Sequence, residues 1–217
     1  MIEYCLIPSR RKTLAIQITP QGELVVRCPI GMEKERIEAF LREKMDWILE
    51  KQAEARKRSE AFSQALQPGG SVPYLGGKLE VAFYGERIPI RYLQTLYLPQ
   101  SNPVDGFFLW RSQEARALLL PMVTEWSIRT RCYPLDISFG NAAGRWGSMN
   151  QQGFLRLNNA LVQLPLEQIQ YVIVHELCHM LFMDHSADFH RVVRFFLPEA
   201  DRIRKEMSRG LPPFIPQ

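Results

Sequence analysis

Cysteine is scarce in this sequence and never closely paired. The four cysteines, Cys5, Cys28, Cys132 and Cys178, fall in no Cys-x-x-Cys spacing, so neither a zinc ribbon nor a redox dithiol is indicated. Four scattered thiols fit a reducing compartment, where buried ones act as small apolar side chains. Long apolar runs are also lacking. Nothing approaches 18 consecutive apolar residues, which argues against a membrane-spanning helix. The opening stretch MIEYCLIPSRRK has no apolar segment long enough for a secretory signal, and its basic residues follow the apolar ones. A cytoplasmic location is therefore expected. Charge of one sign is in short supply too. Lys and Arg total 27 against 23 Asp and Glu, a net charge of +4, whereas a dedicated nucleic-acid binder carries a denser basic stripe. Nucleic-acid association is permitted by this balance but not indicated. What the chain does have is apolar material: 46% hydrophobic content in 217 residues is enough for a real core.

Apolar and polar residues alternate over residues 2–8, 13–19 and 23–28, which predicts half-buried strands. Thr19-Pro20-Gln21-Gly22 reads as the hairpin turn between the last two. Beyond Pro29 the period lengthens. Ile37, Phe40, Leu41, Lys44, Ile48 and Gln52 follow helical spacing with no Pro or Gly until Pro68, predicting one long amphipathic helix over about residues 34–65. Arg56-Lys57-Arg58 near its end reads as a solvated face. Pro68-Gly69-Gly70 marks a break, and residues 71–98 return to short apolar runs with the pattern of a β-meander. Residues 106–110 read as a further strand. From Ser112 a helix is expected toward Arg131, kinked or interrupted at Pro121. Strands are predicted at 135–140 and 154–157, separated by a polar stretch. A helix over about 166–183 follows Pro165, and a last one starts near Ser186 and breaks at Pro198. Strands and helices in separate runs indicate the α+β class.

Histidine is rare as well, and its distribution is the strongest signal in the chain. All four, His175, His179, His185 and His190, lie within sixteen residues. His175 and His179 are four apart in a segment whose apolar positions, from Ile169 to Leu181, support a helix. Four residues advance a helix by about 6 Å with little net rotation, so both imidazoles project from one face. Two neutral nitrogens presented together suit a zinc ion. Glu176 is rotated about 100° from the first ligand, and its carboxylate can reach a metal-bound water without displacing it. That is the mechanical content of the His-Glu-x-x-His pattern. An ordinary helix with two satisfied histidines and a surface glutamate is the alternative. A third ligand weighs against it, because a catalytic zinc takes three protein ligands and keeps one position open. Two residues compete for that place. Ser186 is a plausible N-cap, which puts His185 in a turn and His190 inside the last helix. A turn residue swings onto a metal above the motif helix more easily, which favours His185. His190 stands as the alternative ligand or as a neighbour of the ligands. Cys178 points away from the histidine face and reads as a small buried hydrophobe.

The run YVIVHELCHMLFMDHSADFH, preceded by RWGSM and GFLRLNNALVQLP, resembles the YgjP-like zinc metallopeptidases, relatives of the SprT-like proteases. SRRKTLAIQITPQGELVVRCP, a helix ending in DWI, and YLGGKLEV are similar to stretches of that family too, so the resemblance spans most of the chain. It implies His175, His179 and His185 as ligands of one Zn2+ ion, Glu176 in the catalytic role, and a peptide or protein as substrate. Met149 stands where the family usually has cysteine after Arg-Trp-Gly-Ser, and His190 where tryptophan often follows Phe189. A zincin-like C-terminal half over residues 106–217 is expected, with the motif helix on a small sheet. Residues 1–105 are expected to form a β-rich half with one long helix, as a separate subdomain or as part of one continuous domain.

The expected activity is metal-assisted hydrolysis. A zinc ion held by three imidazoles lowers the pKa of its water to about 7, and Glu176 takes the proton and hands it to the leaving amine. Residues 154–157 are read as an edge strand beside the metal, able to pair with an extended peptide. Arg145, Trp146, Ser148 and Asn158 are the candidate substrate contacts, against a reading in which Trp146 is core and Arg145 pairs locally. Two rival functions use the same residues. One is a zinc-stabilised nucleoprotein-binding module without turnover, which would have no need of Glu176. The other is metal-dependent hydrolysis of a non-peptide amide.

Overall fold

A computed structural model describes residues 3–85, 87–142 and 144–208. The chain is α+β and divides into two compact units, one ending at Gln64 and one beginning at Ala65.

In the first unit, strands β1 (Cys5–Ser9), β2 (Ala15–Ile18) and β3 (Leu24–Pro29) form a sheet with β3 at its centre, parallel to β1 and antiparallel to β2. Alternate residues of β3, Leu24, Val26 and Cys28, are buried against Ile37, Leu41 and Ile48. The expected hairpin turn is present. Gly22 has φ +85°, and a Cβ there would meet the Arg56 side chain at 2.8 Å, so both conformation and space require glycine. The single long helix expected over 34–65 is two, α1 (Lys34–Glu43) and α2 (Met45–Ala65), separated at Lys44 with φ −98° and ψ 11°. No Gly or Pro marks the break. Ile37 and Leu41 before it and Ile48 after it all reach the same β3 face, so packing sets the bend.

The second unit holds two sheets. Strands β4 (Ser71–Tyr74), β5 (Gly77–Tyr84), β6 (Ile90–Tyr92) and β7 (Thr95–Pro99) are ordered β4-β5-β7-β6, with β5 and β7 parallel. This is not the expected meander. Leu96 and Leu98 of β7 are fully buried and belong in the middle, whereas every residue of β6 is exposed and takes the edge. Residues 106–110 are not a strand either. They lie in the first turns of α3 (Pro103–Thr130), where the Asn102 side chain caps the Asp105 N–H at 3.2 Å and Pro103 fills the first turn. The expected interruption at Pro121 does not occur. Pro121 is exposed on the solvent side, where the carbonyl it leaves unbonded can take water, and the helix runs through it.

The second sheet carries the chemistry. Strand β10 (Phe154–Asn158) lies at its centre, parallel to β8 (Asp136–Gly140) and antiparallel to β9 (Gly147–Met149). The expected edge strand at 154–157 is thus internal, because its alternate residues Leu155 and Leu157 are fully buried. The edges are β8 and β9, the latter three residues within the stretch read as a polar loop. A short 3-10 turn (Asn159–Gln163) leads into α4 (Leu166–Cys178), followed by α5 (Ala187–Phe196) and α6 (Ala200–Met207). Ile169, Val172, Ile173 and Leu177 of α4 join Leu155, Leu157, Leu119 and Val123 in one core.

A candidate metal centre at the end of α4

Helix α4 stops earlier than its apolar spacing predicts. Cys178 is its last residue, and the N–H groups of Met180, Leu181 and Phe182 bond back to Leu177 and Cys178 in a tight turn. Beyond that turn Ser186 caps α5, its hydroxyl accepting from the Phe189 N–H. His185 therefore sits just before a helix start, facing the end of α4.

Three imidazoles meet there. One ligand atom from each of His175, His179 and His185 lies within 4.8 Å of the others, and the Nε2 atoms of His175 and His185 stand 3.1 Å apart. A tetrahedral metal with nitrogen ligands at about 2.0–2.1 Å requires nitrogens about 3.3 Å apart, so this donor set fits a metal ion. The remaining ring atoms support that use. The Phe182 carbonyl lies 3.0 Å from His179 Nδ1, and a proton donated there leaves Nε2 free to ligate. The Tyr171 hydroxyl is 3.5 Å from His175 Nδ1. Phe189 forms a floor, stacked on His179 at 4.6 Å and edge-on to the other two rings. Burial, reinforced by the neighbouring histidines, pushes the His175 pKa down to about 3, and burial also lowers that of His179. Both rings are neutral, ready ligands at physiological pH.

His190 lies apart from this group. Its ring centroid is 6.2 Å from that of His185, and its Nε2 is 3.5 Å from Arg204 Nη1. A guanidinium only donates, so that nitrogen is engaged as an acceptor. Among the described residues the metal-competent group comprises His175, His179 and His185.

Glu176 is buried on the flank of α4, and burial raises its pKa to about 7 against the opposing effects of the Met149 N–H and the Arg145 charge. A carboxyl poised there can both accept and release a proton near neutral pH. Its place depends on β9. A Cβ at Gly147 would lie 2.8 Å from Glu176 Cγ and 3.0 Å from Oε1. The ladder also sets which groups of β9 are open. The Asn150 N–H bonds to Phe154 and the Trp146 carbonyl accepts from Asn158, both toward β10. By alternation, Ser148 turns inward as well, while Gly147 and Met149 turn their backbone groups to the unpaired edge. The Met149 N–H reaching Glu176 agrees with this.

The other expected substrate contacts cluster beside β9. Arg145 is exposed and close enough to act on Glu176. Trp146 is half-buried against the core. Ser148 pairs with Arg156 across the ladder. Asn158 is buried and fully engaged. Its amide donates to the carbonyls of Ala142 at 2.8 Å and Arg145 at 2.9 Å, and its oxygen accepts from the Ala160 N–H. It holds the loop that leads into β9. Sequence reasoning passed over Tyr171, Gly147 and Phe189. Tyr171 sits four residues before His175, a spacing that could have revealed it, whereas the other two act through contacts that no local pattern signals.

The family description "YgjP-like, metallopeptidase domain" matches residues 12–210. Among solved structures, the chain is similar to the metallopeptidase zymogen jannalysin of Methanocaldococcus jannaschii, with 24% identity and a TM-score of 0.37 over 41% of this chain and 92% of that one. It is also similar to the metallopeptidase zymogen abylysin of Pyrococcus abyssi, with 20% identity and a TM-score of 0.37 over 43% of this chain and 99% of that one. No curated protein matches the chain.

Proposed function

The chain belongs to the YgjP-like metallopeptidase family, and from that premise we propose that it hydrolyses peptide bonds at a single zinc ion held by His175, His179 and His185, with Glu176 as general base. The observation that carries this reading is the meeting of three imidazole nitrogens within 4.8 Å of one another beside a buried carboxylate at the open edge of a strand. Bound there, zinc would activate a water and polarise a carbonyl oxygen. The protein's own groups do the rest. Glu176 takes a proton and returns it to the leaving amine. The outward backbone groups of Gly147 and the outward carbonyl of Met149, whose N–H holds Glu176, offer an extended peptide a ladder on which to lie, which brings its carbonyl toward Glu176. Phe189 and the core beneath it keep water from the rear of the site. Protein substrates follow from family membership. A cytoplasmic location belongs to the same reading, supported by four free cysteines, three of them buried. Among the described residues no helix is long and apolar enough to cross a membrane.

The test is Glu176→Gln. The variant is expected to bind zinc as the wild type does, measured by mass spectrometry, and to lose peptide hydrolysis by about 10²–10⁴-fold. Full activity in that variant would remove Glu176 from the mechanism.

A further inference from the structure

The chain between β8 and β9 has to cross a strand. These two flank β10 on opposite sides, so the connection from Gly140 to Gly147 passes over the end of β10. Asn158, the last residue of β10, clamps the crossing. Its amide spans the Ala142 and Arg145 carbonyls, and its N–H donates to the Trp146 carbonyl at 2.9 Å. The take-off of this strap is held separately. Asn141 follows directly on β8, and its side-chain oxygen accepts from Asn159 Nδ2 at 3.1 Å and from Arg111 Nη2 at 3.0 Å. Arg111 reaches it from α3 and is only 1% exposed, the largest of the fully buried side chains among the described residues. Burial lowers its pKa to about 10, which leaves it charged at neutral pH. A charge in the core costs stability that an apolar side chain of similar volume would not, so packing alone does not account for it. The guanidinium lies over the rings of Phe108 at 4.8 Å and Phe107 at 5.5 Å, and this seat aims its fork.

The far end of the strap bears on the site. Trp146 is followed by Gly147, where a Cβ would lie 2.8 Å from Glu176 Cγ, and the Met149 N–H two residues on holds the Glu176 carboxyl. Glu176 is itself buried, so a shift of β9 changes its aim. Asn158 grips the crossing, but that grip leaves the residue at which the strap departs from β8 to be fixed by something else. Resting on the reading that Glu176 is the general base, we propose that Arg111 is a positioning residue for the hydrolysis. Through Asn141 it fixes where the strap leaves β8, and so where β9 lands against Glu176. The bond it makes runs to the strap, not to the group of imidazoles or to Glu176.

The experiment cuts the link from its exposed end. Asn141 is exposed, so Asn141→Ala is expected to fold, whereas Asn141→Asp keeps an acceptor for both donors and adds a charge complementary to the guanidinium. The full chain, loaded with zinc, is assayed on an internally quenched peptide that the wild type cleaves. Asn141→Ala should lower kcat by about tenfold, within the roughly 10²-fold that a misplacement of about 1 Å costs, with KM and bound zinc little changed. Asn141→Asp should return kcat to the wild-type value. Arg111→Gln should lower kcat by a similar factor, and the double variant with Asn141→Ala should fall no further than the slower single one, because both cut one link. Losses that multiply in the double variant, wild-type kcat in Asn141→Ala whatever its melting temperature, or a rise in KM alone would each overturn the assignment. Should Arg111→Gln not fold, Asn141→Ala against Asn141→Asp decides. A wild type that cleaves no peptide would count against the proposed hydrolysis, and amide hydrogen exchange followed by NMR would then decide the positioning. Faster exchange at Met149 and Asn158 in Asn141→Ala, returned to the wild-type rate in Asn141→Asp, supports it, and unchanged exchange overturns it.

Discussion

The position of Glu176 depends on a missing side chain at residue 147. Any Cβ at Gly147 would overlap the Glu176 carboxylate and its Cγ, and Glu176 is only 7% exposed, so the cost falls on the carboxylate's aim. Misplacing a catalytic group by about 1 Å costs on the order of 10²-fold in rate. Gly147→Ala is therefore expected to lower kcat by about that factor, with the melting temperature and bound zinc little changed. Wild-type kcat in that variant would show that Glu176 has room to spare. Each histidine likewise depends on residues with no chemistry of their own. Phe189 is fully buried beneath all three rings, and the Phe182 carbonyl orients His179.

At the scale of elements, the site joins the end of a helix to the edge of a strand, and the two were not equally legible in the sequence. Helical periodicity through Ile169, Val172 and Ile173 and the four-residue spacing of His175 and His179 place two imidazoles on one face without reference to any other part of the chain. Strand β9 carries no such pattern. Three residues, Gly-Ser-Met, are too few to show alternation, and the strand exists because Asn158 and the β10 ladder hold it. The same physics hid the order of the other sheet, where burial of Leu96 and Leu98 puts β7 inside β6. The first turns of α3 are obscured in the sequence for a different reason. Gly106 and its aromatic neighbours suggest a strand, but Asn102 and Pro103 just before them are a helix start. If Asn158 holds the loop as the hydrogen bonds indicate, Asn158→Ala removes the donor to the part-buried carbonyls of Ala142 and Arg145. It should cost about 0.5–1.5 kcal/mol per lost bond in denaturant unfolding and lower peptidase activity further than that loss explains. Unchanged stability would mean that the loop is held by other contacts.

At the scale of the whole molecule, the unit beginning at Ala65 provides everything the chemistry uses: a core through α3, α4 and β10, an open strand edge, and a turn that returns His185 to the helix bearing His175 and His179. Its histidines are ten residues apart at the extremes of the group, so one ion would tie the end of α4 to the start of α5. The central claim is that this ion is zinc and that these three residues hold it. Zinc per chain, measured by mass spectrometry on wild type, His185→Ala and His190→Ala purified alike, tests it most directly. One zinc per chain is expected in wild type and in His190→Ala, with loss of the metal in His185→Ala. Stoichiometric zinc retained in His185→Ala, or lost in His190→Ala, would contradict the account.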